Sequence, residues 1–190
     1  EEFHERDYGV MEAAFSTHNE LGCLCDEKIY QNELLHRCRQ NGFAAVQKEV
    51  PIIVSHKEFS KTFYMDMLVD HGFVYELKAI KEISNAHRKQ VLNYLMLTGL
   101  NFGKIINFGR LSVQHEFVST KLTPERRREW QADDRGWTNL DDDSAWLKNT
   151  MQMLIDDWGT FLDISLYHEA VTVFRGGDEA ILERIPVSKD

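Results

Sequence analysis

The spacing of hydrophobic and polar residues changes twice along the first two thirds of this chain. Between residues 9 and 41, apolar residues recur at helical spacing, and Asn41-Gly42 is a typical helix end. From Phe43 onward the period shortens to that of β-strands, and a second helical stretch from Ser84 to Gly99 divides these strands into two groups. The pattern predicts strands at residues 46–54, 59–69, 73–79, 104–108 and 111–118.

The resulting order of elements, α-β-β-β-α-β-β, predicts an α/β fold. Because helices and strands alternate along the chain, we expect a central mixed sheet that is flanked by helices. Pro51 lies inside the first strand and has no backbone N–H group to donate to a neighbouring strand. The first strand is therefore predicted to lie at an edge of the sheet or to contain a bulge.

Residues 119–190 have a different pattern, in which an apolar stripe at helical spacing follows an Asp-rich run. We therefore divide the chain into an α/β domain over residues 8–118 and an acidic, mainly helical C-terminal extension over residues 119–190. The predicted elements of the extension are a helix from Ser144 to Gly159 with Asp143 or Ser144 as its N-cap, a helix from Phe161 to Phe174, and a strand from Ile181 to Val187.

The second and third strands flank Asp70-His71-Gly72, a plausible three-residue hairpin loop in which we expect the glycine to take a positive φ. If the turn centres on His71, residues whose numbers sum to 142 face each other. Asp66 then lies opposite Glu76, and Lys78 projects from the same face because it is two residues further along the strand. The hairpin thus predicts a pair of carboxylates with an adjacent ammonium group.

Such a pair is costly without a cation, since two like charges about 4 Å apart repel by roughly 4 kcal/mol at an effective dielectric constant near 20. A divalent metal ion turns this repulsion into ligation, and oxygen ligands favour Mg²⁺ or Mn²⁺. Lys78 could then orient or activate the water that attacks a phosphodiester. The alternative is that Asp66 and Glu76 lie on an exposed sheet face, where Lys78 neutralises them.

The helix that follows carries three polar residues on one face, because His87, Gln90 and Tyr94 are spaced by three and four positions. In a functional interpretation, Gln90 and Tyr94 line the wall of the metal site and contact phosphate or base. The alternative is an ordinary polar flank of the helix, which is the interpretation we favour for His87 alone.

The carboxylate pair, the E-x-K motif at Glu76 and the Q-x-x-x-Y motif at Gln90 together resemble the PD-(D/E)XK nuclease superfamily, near its lambda-exonuclease and RecB-like branch. More narrowly, the chain resembles the bacterial GxxExxY proteins across about residues 10–118. The segments that carry this resemblance, in order, are Asn19 to Gly22, Glu27 to Asn32, Glu49 to Ile52, Asp66 to Val69, Glu76 to Ala79, His87 to Leu95, Thr98 to Leu100 and Ile106 to Gly109.

The resemblance implies a restriction-endonuclease-like core and a nuclease that hydrolyses DNA with Mg²⁺ or Mn²⁺. By the same resemblance, Asp66, Glu76 and the Leu77 carbonyl hold the metal ion, and Glu27 completes the site. Lys78 positions the hydrolytic water, while Gln90 and Tyr94 orient Lys78 or the phosphate. The chain departs from the family pattern in having Met65 where proline is common and Leu24 at the position of the name-giving glycine.

The charge of the chain limits how it could bind nucleic acid. The net charge is −9, which divides into −3 over residues 1–118 and −6 over residues 119–190. This acidity argues against broad, high-affinity binding by counterion release and favours a few local phosphate contacts. The candidates for such contacts are Lys81, Arg88, Lys89 and Arg126 to Arg128, and the alternative for each is a solvated basic side chain.

Composition narrows the remaining choices. The chain of 190 residues has no apolar run long enough to span a membrane and no signal-peptide pattern. Its three cysteines suit a reducing compartment, so we expect a cytoplasmic protein. Cys23 and Cys25, expected on nearly opposite faces of a helix, argue against a zinc or iron–sulfur site.

The alternative function is a catalytically silent nuclease-fold module that binds nucleic acid or protein partners. The C-terminal helices could form a homo-oligomer.

Overall fold

The computed structural model describes residues 2–181, and the chain divides into two compact units. The first unit contains the residues up to Ile53 together with Thr62–Thr123. The second contains Val54–Lys61 together with the chain from Pro124 onward. The tip of one β-hairpin therefore belongs to the second unit, although the rest of that hairpin belongs to the first.

The prediction of an α/β fold with a mixed sheet flanked by helices is confirmed, as are the additional C-terminal helices. The elements up to the end of the sheet are α1 (Glu2–Leu21), α2 (Glu27–Gln40), β1 (Val46–His56), β2 (Phe59–Val69), β3 (Phe73–Lys78), α3 (Asn85–Thr98), β4 (Phe102–Asn107) and β5 (Gln114–Ser119). The sheet has five strands in the order β1-β2-β3-β4-β5, so that β1 lies at an edge, as Pro51 indicated. Strands β3 and β4 are parallel and are connected through α3, whereas β2–β3 and β4–β5 are antiparallel.

Each face of the sheet in the first unit has its own hydrophobic core. Helices α1 and α2 pack on one face, where Tyr75 and Leu77 of β3 are fully buried. Helix α3 packs on the other face, where it contacts Val74 of the same strand. Because side chains alternate along a strand, the next even-numbered residue of β3, Glu76, belongs to the α3 face.

The predicted register of the β2–β3 hairpin is confirmed, because the paired residues all have numbers that sum to 142: Met67 with Tyr75, Leu68 with Val74, and Val69 with Phe73. The prediction that Gly72 takes a positive φ is wrong. Asp70 and His71 take the left-handed conformation instead, at φ 48° and 60°, and Gly72 N donates to the carbonyl of Val69 at 3.1 Å. A type I′ turn requires positive φ at its two central residues, which here precede the glycine.

The helical stretch predicted over residues 9–41 is two helices. Gly22, at φ 71°, ends α1, and its N–H donates to the carbonyl of His18 at 2.8 Å. Cys23 and Cys25 lie in the connection between α1 and α2, so their expected placement on opposite faces of one helix is wrong. The local sequence did not locate this break because apolar residues continue at helical spacing on both sides of it.

The second unit contains α4 (Pro124–Arg128), α5 (Asp142–Trp158), α6 (Ile164–Phe174) and α7 (Asp178–Ile181). Asp141, rather than Asp143 or Ser144, caps α5, since its carboxylate accepts the N–H of Ser144 at 2.8 Å. Gly159 ends α5, as predicted. Helix α6 begins three residues later than predicted because Phe161 has a positive φ of 67°.

The strand predicted from Ile181 to Val187 lies almost entirely outside the described residues, and Ile181 itself is the last residue of α7. Across residues 2–181 we find no helix that combines the length and the apolar character needed to cross a bilayer.

Candidate active site

The candidate site forms where strands β2 and β3 stop pairing. The last backbone pair of the two strands is Met67 with Tyr75. Beyond this pair, the N–H of Leu77 on β3 donates to a side chain of β2 instead of to the β2 backbone. Asp66 Oδ2 accepts this N–H at 2.7 Å. The gap between the diverging strands allows residues from α2 and α3 to approach the same group of carboxylates.

Glu76 and Lys78 form a buried ion pair on β3. Glu76 is 0% exposed, and its Oε1 accepts a hydrogen bond from Lys78 Nζ at 2.5 Å. The second carboxylate oxygen, Oε2, is also buried and has no hydrogen-bond partner. Since a buried carboxylate oxygen without a partner is destabilising, the fold keeps an acceptor here that its own residues do not satisfy.

The electrostatics of the site follow from burial and from the proximity of these charges. Burial, and then the charge of Asp66, raise the pKa of Glu76 to about 7, although Lys78 opposes this shift. Burial also raises the pKa of Asp66, and the charges of Glu27 and Glu49 raise it further. Burial alone would lower the pKa of Lys78, but the nearby carboxylates of Glu76, Asp66 and Glu27 together outweigh this effect, so that the pKa is raised and Lys78 stays protonated.

Glu27 is the first residue of α2, and its Oε1 lies 4.0 Å from Lys78 Nζ. The connection before Glu27 is held by Tyr30, whose hydroxyl donates to the carbonyl of Gly22 at 2.8 Å and accepts the N–H of Cys25 at 3.1 Å. Leu24 is 95% exposed, and the left-handed residue of this connection is Gly22. The position of Glu27 therefore does not depend on a glycine at residue 24.

Helix α3 presents Gln90 and Tyr94 to the same group of charges. Gln90 Nε2 donates to the Tyr94 hydroxyl at 2.8 Å. Burial raises the pKa of Tyr94, and the charges of Glu76 and Asp66 raise it further. His87 Nδ1 accepts the N–H of Ser84 at 3.0 Å, so the proton of the neutral ring is on Nε2.

The candidate phosphate contacts differ in how available they are. Lys81 and Lys89 are exposed. Arg88 is held by Glu116 of β5, through bonds of 2.6 Å from Nε and 2.8 Å from Nη2. In the second unit, Arg127 is 3% exposed and donates to the carbonyls of Trp158 and Thr160. The suggestion that Arg127 contacts phosphate is therefore wrong, since its guanidinium stabilises the local fold.

Sequence reasoning missed two residues beside Asp66. Gln31 of α2 is buried, and its Nε2 donates to the backbone carbonyl of Asp66 at 2.9 Å and to Glu49 Oε1 at 3.1 Å. Both residues lie inside segments that carry the family resemblance, but spacing alone gave no reason to connect α2 with β1. Only the positions of the three elements reveal the contact.

The arrangement brings the carboxylates of Asp66, Glu76 and Glu27 and the ammonium group of Lys78 together where β2 and β3 stop pairing. Among the described residues, the structure holds no cluster of three or more His, Cys, Asp or Glu side chains already arranged to hold a metal ion. The donor set nevertheless consists of hard oxygen atoms, with an orphaned acceptor on Glu76. This chemistry fits a divalent cation of the magnesium type better than a soft metal.

The mixed sheet flanked by helices defines the chain as a protein with a restriction-endonuclease-like fold. A model of the PD-(D/E)XK nuclease superfamily matches residues 4–119, which is 116 of the 190 residues. The chain therefore belongs to the PD-(D/E)XK nuclease superfamily. Its members are usually hydrolytic nucleases and generally use divalent metal ions. No curated protein and no solved structure matches the chain.

The raised pKa of Glu76 gives a prediction about stability. Since the folded pKa, about 7, lies above the ordinary value of 4.5, the unfolded chain loses this proton first as the pH rises. Stability of the metal-free protein is then lost between about pH 4.5 and pH 7. We expect Glu76→Gln to stabilise the metal-free protein at pH 8 by roughly 1–3 kcal/mol, with little gain near pH 5. Urea unfolding in EDTA, followed by far-UV circular dichroism, measures this change.

Glu116→Gln is the matched control with the opposite sign. The hydrogen bonds from Arg88 lower the pKa of Glu116, so its contribution is present at neutral pH and is lost on acidification. We expect Glu116→Gln to destabilise the protein slightly at pH 8. An equal response of both variants to pH would contradict our assignment of an unsatisfied carboxylate to Glu76.

Proposed function

We propose that this protein is a Mg²⁺- or Mn²⁺-dependent nuclease that hydrolyses DNA phosphodiester bonds, of the GxxExxY type within the lambda-exonuclease and RecB-like branch. Membership of the superfamily supports the reaction class. The observation that carries the proposal is the buried Glu76, with Lys78 on one oxygen and no partner on the other. A cation ligand explains why a fold would retain this arrangement.

The residues that would hold the metal ion are Asp66, Glu76 and the Leu77 carbonyl, with Glu27 completing the set directly or through water. When bound, the metal ion would supply positive charge that activates the hydrolytic water and stabilises charge on the phosphate. The unpartnered Oε2 of Glu76 supports this ligand set. The hydrogen bond from Leu77 N to Asp66 Oδ2 limits rotation of the Asp66 carboxylate, so the direction of its other oxygen is also restricted.

Lys78 is the group that acts on the attacking water and on the developing charge. Its pKa is raised, so Nζ keeps its proton at neutral pH, and the bond to Glu76 fixes its position. A fixed ammonium group stabilises the transition state more than the ground state, in which less charge has developed on the phosphate. We therefore propose that Lys78 orients the water and stabilises the transition state rather than serving as a neutral base.

Gln90 and Tyr94 orient Lys78 or the scissile phosphate. Because Gln90 donates its amide hydrogen to the oxygen of Tyr94, the hydroxyl hydrogen of Tyr94 remains to be donated to a phosphate oxygen. The exposed Lys81 and Lys89 are proposed to contact the DNA backbone directly. Arg88 would do so only at the expense of its bonds to Glu116.

Several further assignments stay predictions. These are the division into a nuclease domain (residues 8–118) and an acidic extension (residues 119–190), homo-oligomer formation through the C-terminal helices, and a cytoplasmic location.

Cleavage of linear, circular and single-stranded DNA, with Mg²⁺, with Mn²⁺ and with EDTA, tests the proposed function. We expect cutting only with metal, and its loss in Asp66→Asn, because the amide is a poor metal ligand and the bond to Leu77 N is weakened. Asp70→Asn is the matched control in the turn at the end of the same strand. Cutting of circular DNA would identify an endonuclease.

Wild-type protein that cuts none of these substrates would overturn the proposal. If that protein still binds Mn²⁺, seen as a rise in melting temperature that is absent in Asp66→Asn, the catalytically silent binding module becomes the better interpretation.

A further inference from the structure

We propose that Gln31 and Glu49 are positioning residues of the candidate active site, which hold the backbone of Asp66 so that its carboxylate faces the other carboxylates. This inference rests on the proposed function for its catalytic consequence. The structural contact on which it depends is independent of that function. In this arrangement, Gln31 holds Asp66, and Glu49 holds Gln31.

The contact of Gln31 is specific and buried. Gln31 is 5% exposed, and its side-chain amide nitrogen has two hydrogens to donate. One bond goes to the backbone carbonyl of Asp66 at 2.9 Å, and the other goes to Glu49 Oε1 at 3.1 Å. A buried amide with both donors engaged has a defined orientation, so α2 is fixed relative to this point of β2.

Strand β2 needs this support because its alternation is interrupted at Asp66. Phe63 and Met65 belong to the core on the α3 face, whereas Met67 and Val69 belong to the core on the opposite face. Odd-numbered residues therefore change faces across Asp66, which is the mark of a bulge. At a bulge the backbone leaves the regular ladder, and Gln31 supplies a donor to the Asp66 carbonyl there.

Glu49 lies at a matching irregularity on β1. It has a φ of 51° inside the strand, a conformation that costs a non-glycine residue of the order of 1–2 kcal/mol. Val46 belongs to the core on the α1 and α2 face, while Val50 and Ile52 contact the core on the α3 face. The strained residue is thus where β1 also changes faces, and its carboxylate is the one that accepts from Gln31.

Glu49 is close enough to Asp66 for its charge to raise the Asp66 pKa, so a direct role as a metal ligand has to be distinguished from that of an anchor. The two roles predict different results for Glu49→Gln. A glutamine oxygen still accepts the Gln31 hydrogen, so an anchor is preserved. A metal ligand, however, is weakened, since an amide oxygen carries no charge.

The test compares Gln31→Met, Glu49→Ala and Glu49→Gln with wild type. Methionine has a volume similar to glutamine but no donor. We expect Gln31→Met and Glu49→Ala to lower kcat about 10- to 100-fold with KM within about twofold, a magnitude typical of residues that orient a metal site. Glu49→Gln should stay within about threefold of wild type. Asn32→Ala is the control, because Asn32 neighbours Gln31 on α2 but accepts its hydrogen bond from the exposed Lys48.

Two readouts do not need catalysis. Hydrogen exchange of the Leu77 amide reports whether Asp66 Oδ2 still accepts it, and should become at least about tenfold faster in Gln31→Met and Glu49→Ala but not in Glu49→Gln. The rise in melting temperature with Mn²⁺ should shrink in the same two variants. A variant that only loosened the fold would melt earlier but would keep kcat and the Mn²⁺-induced rise.

Wild-type kcat and unchanged Leu77 exchange in Gln31→Met would overturn the inference. Glu49→Gln as damaging as Glu49→Ala would also overturn it and would identify Glu49 as a ligand. If Gln31→Met fails to fold, the comparison of Glu49→Ala with Glu49→Gln still tests the inference, because Glu49 is exposed. A wild-type protein that does not cleave refutes the proposed function alone, since Leu77 exchange still tests the contact.

Discussion

The Lys78→Ala protein is expected to cleave DNA at least about 1000-fold more slowly than wild type at saturating Mg²⁺ or Mn²⁺. The substitution removes the only ammonium group hydrogen-bonded to the buried Glu76 within the described residues. It also removes the positive charge that favours the ionised form of Glu76 beside Asp66. The pKa of Glu76 should therefore rise above its present value of about 7, which weakens this carboxylate as a metal ligand at neutral pH.

The experiment is a single-turnover cleavage assay across a pH series. Lys121→Ala, which removes an exposed lysine far along the sequence, is the control and should cut like wild type. Lys78→Arg should not restore activity, because a planar guanidinium cannot occupy the place of a compact ammonium group in a buried pair. Cleavage retained in purified Lys78→Ala would refute the catalytic role assigned to Lys78.

The Arg127→Ala substitution is expected to destabilise the second unit by about 3 kcal/mol. Arg127 Nε donates to the carbonyl of Thr160 at 2.8 Å, and its guanidinium also donates to the carbonyl of Trp158. These carbonyls flank Gly159, the left-handed residue that ends α5. Without the guanidinium they would lack their charged donor in a buried environment, which carries a larger free-energy cost than the loss of an exposed bond.

Tryptophan fluorescence measures this effect selectively, because all four tryptophans of the chain lie in the second unit. Urea unfolding followed by fluorescence should show a lower midpoint for Arg127→Ala. Arg128→Ala is the matched control, since its side chain makes one long bond to the carbonyl of Asp157 at the surface, and it should change stability by less than about 1 kcal/mol. Equal midpoints for both variants would show that burial of Arg127 contributes little.

Local sequence was enough to predict the elements around the site. Two β-prone runs separated by three residues leave one compact way to form a hairpin, so the register that brings Asp66 toward Glu76 could be predicted without the fold. Ser84 and Gly99 bound α3 by caps that act within a few residues. Where several local conformations were open, as for Gly72 or the N-cap of α5, the prediction chose the wrong residue.

Burial and contacts between distant elements could not be predicted in the same way. The spacing of Asp66, Glu76 and Lys78 was also compatible with an exposed carboxylate at Glu76, and only packing of α3 against the sheet places it fully inside. The bond from Gln31 to Asp66 joins residues 35 positions apart. Arg127 had the appearance of a basic surface residue in Arg126 to Arg128, but the α5–α6 connection encloses it.

The sequence by itself determined the order of the five strands around α3 and the hairpin register that brings Asp66 toward Glu76, because each depends on interactions within about a dozen positions. The tertiary structure decided which of these groups are desolvated, which oxygen lacks a partner, and how β1 and β2 bend at Glu49 and Asp66. These properties arise only when α2, α3 and the sheet exclude water from a shared volume. Desolvation makes the charges strong enough to perturb one another, and local sequence carries no information about it.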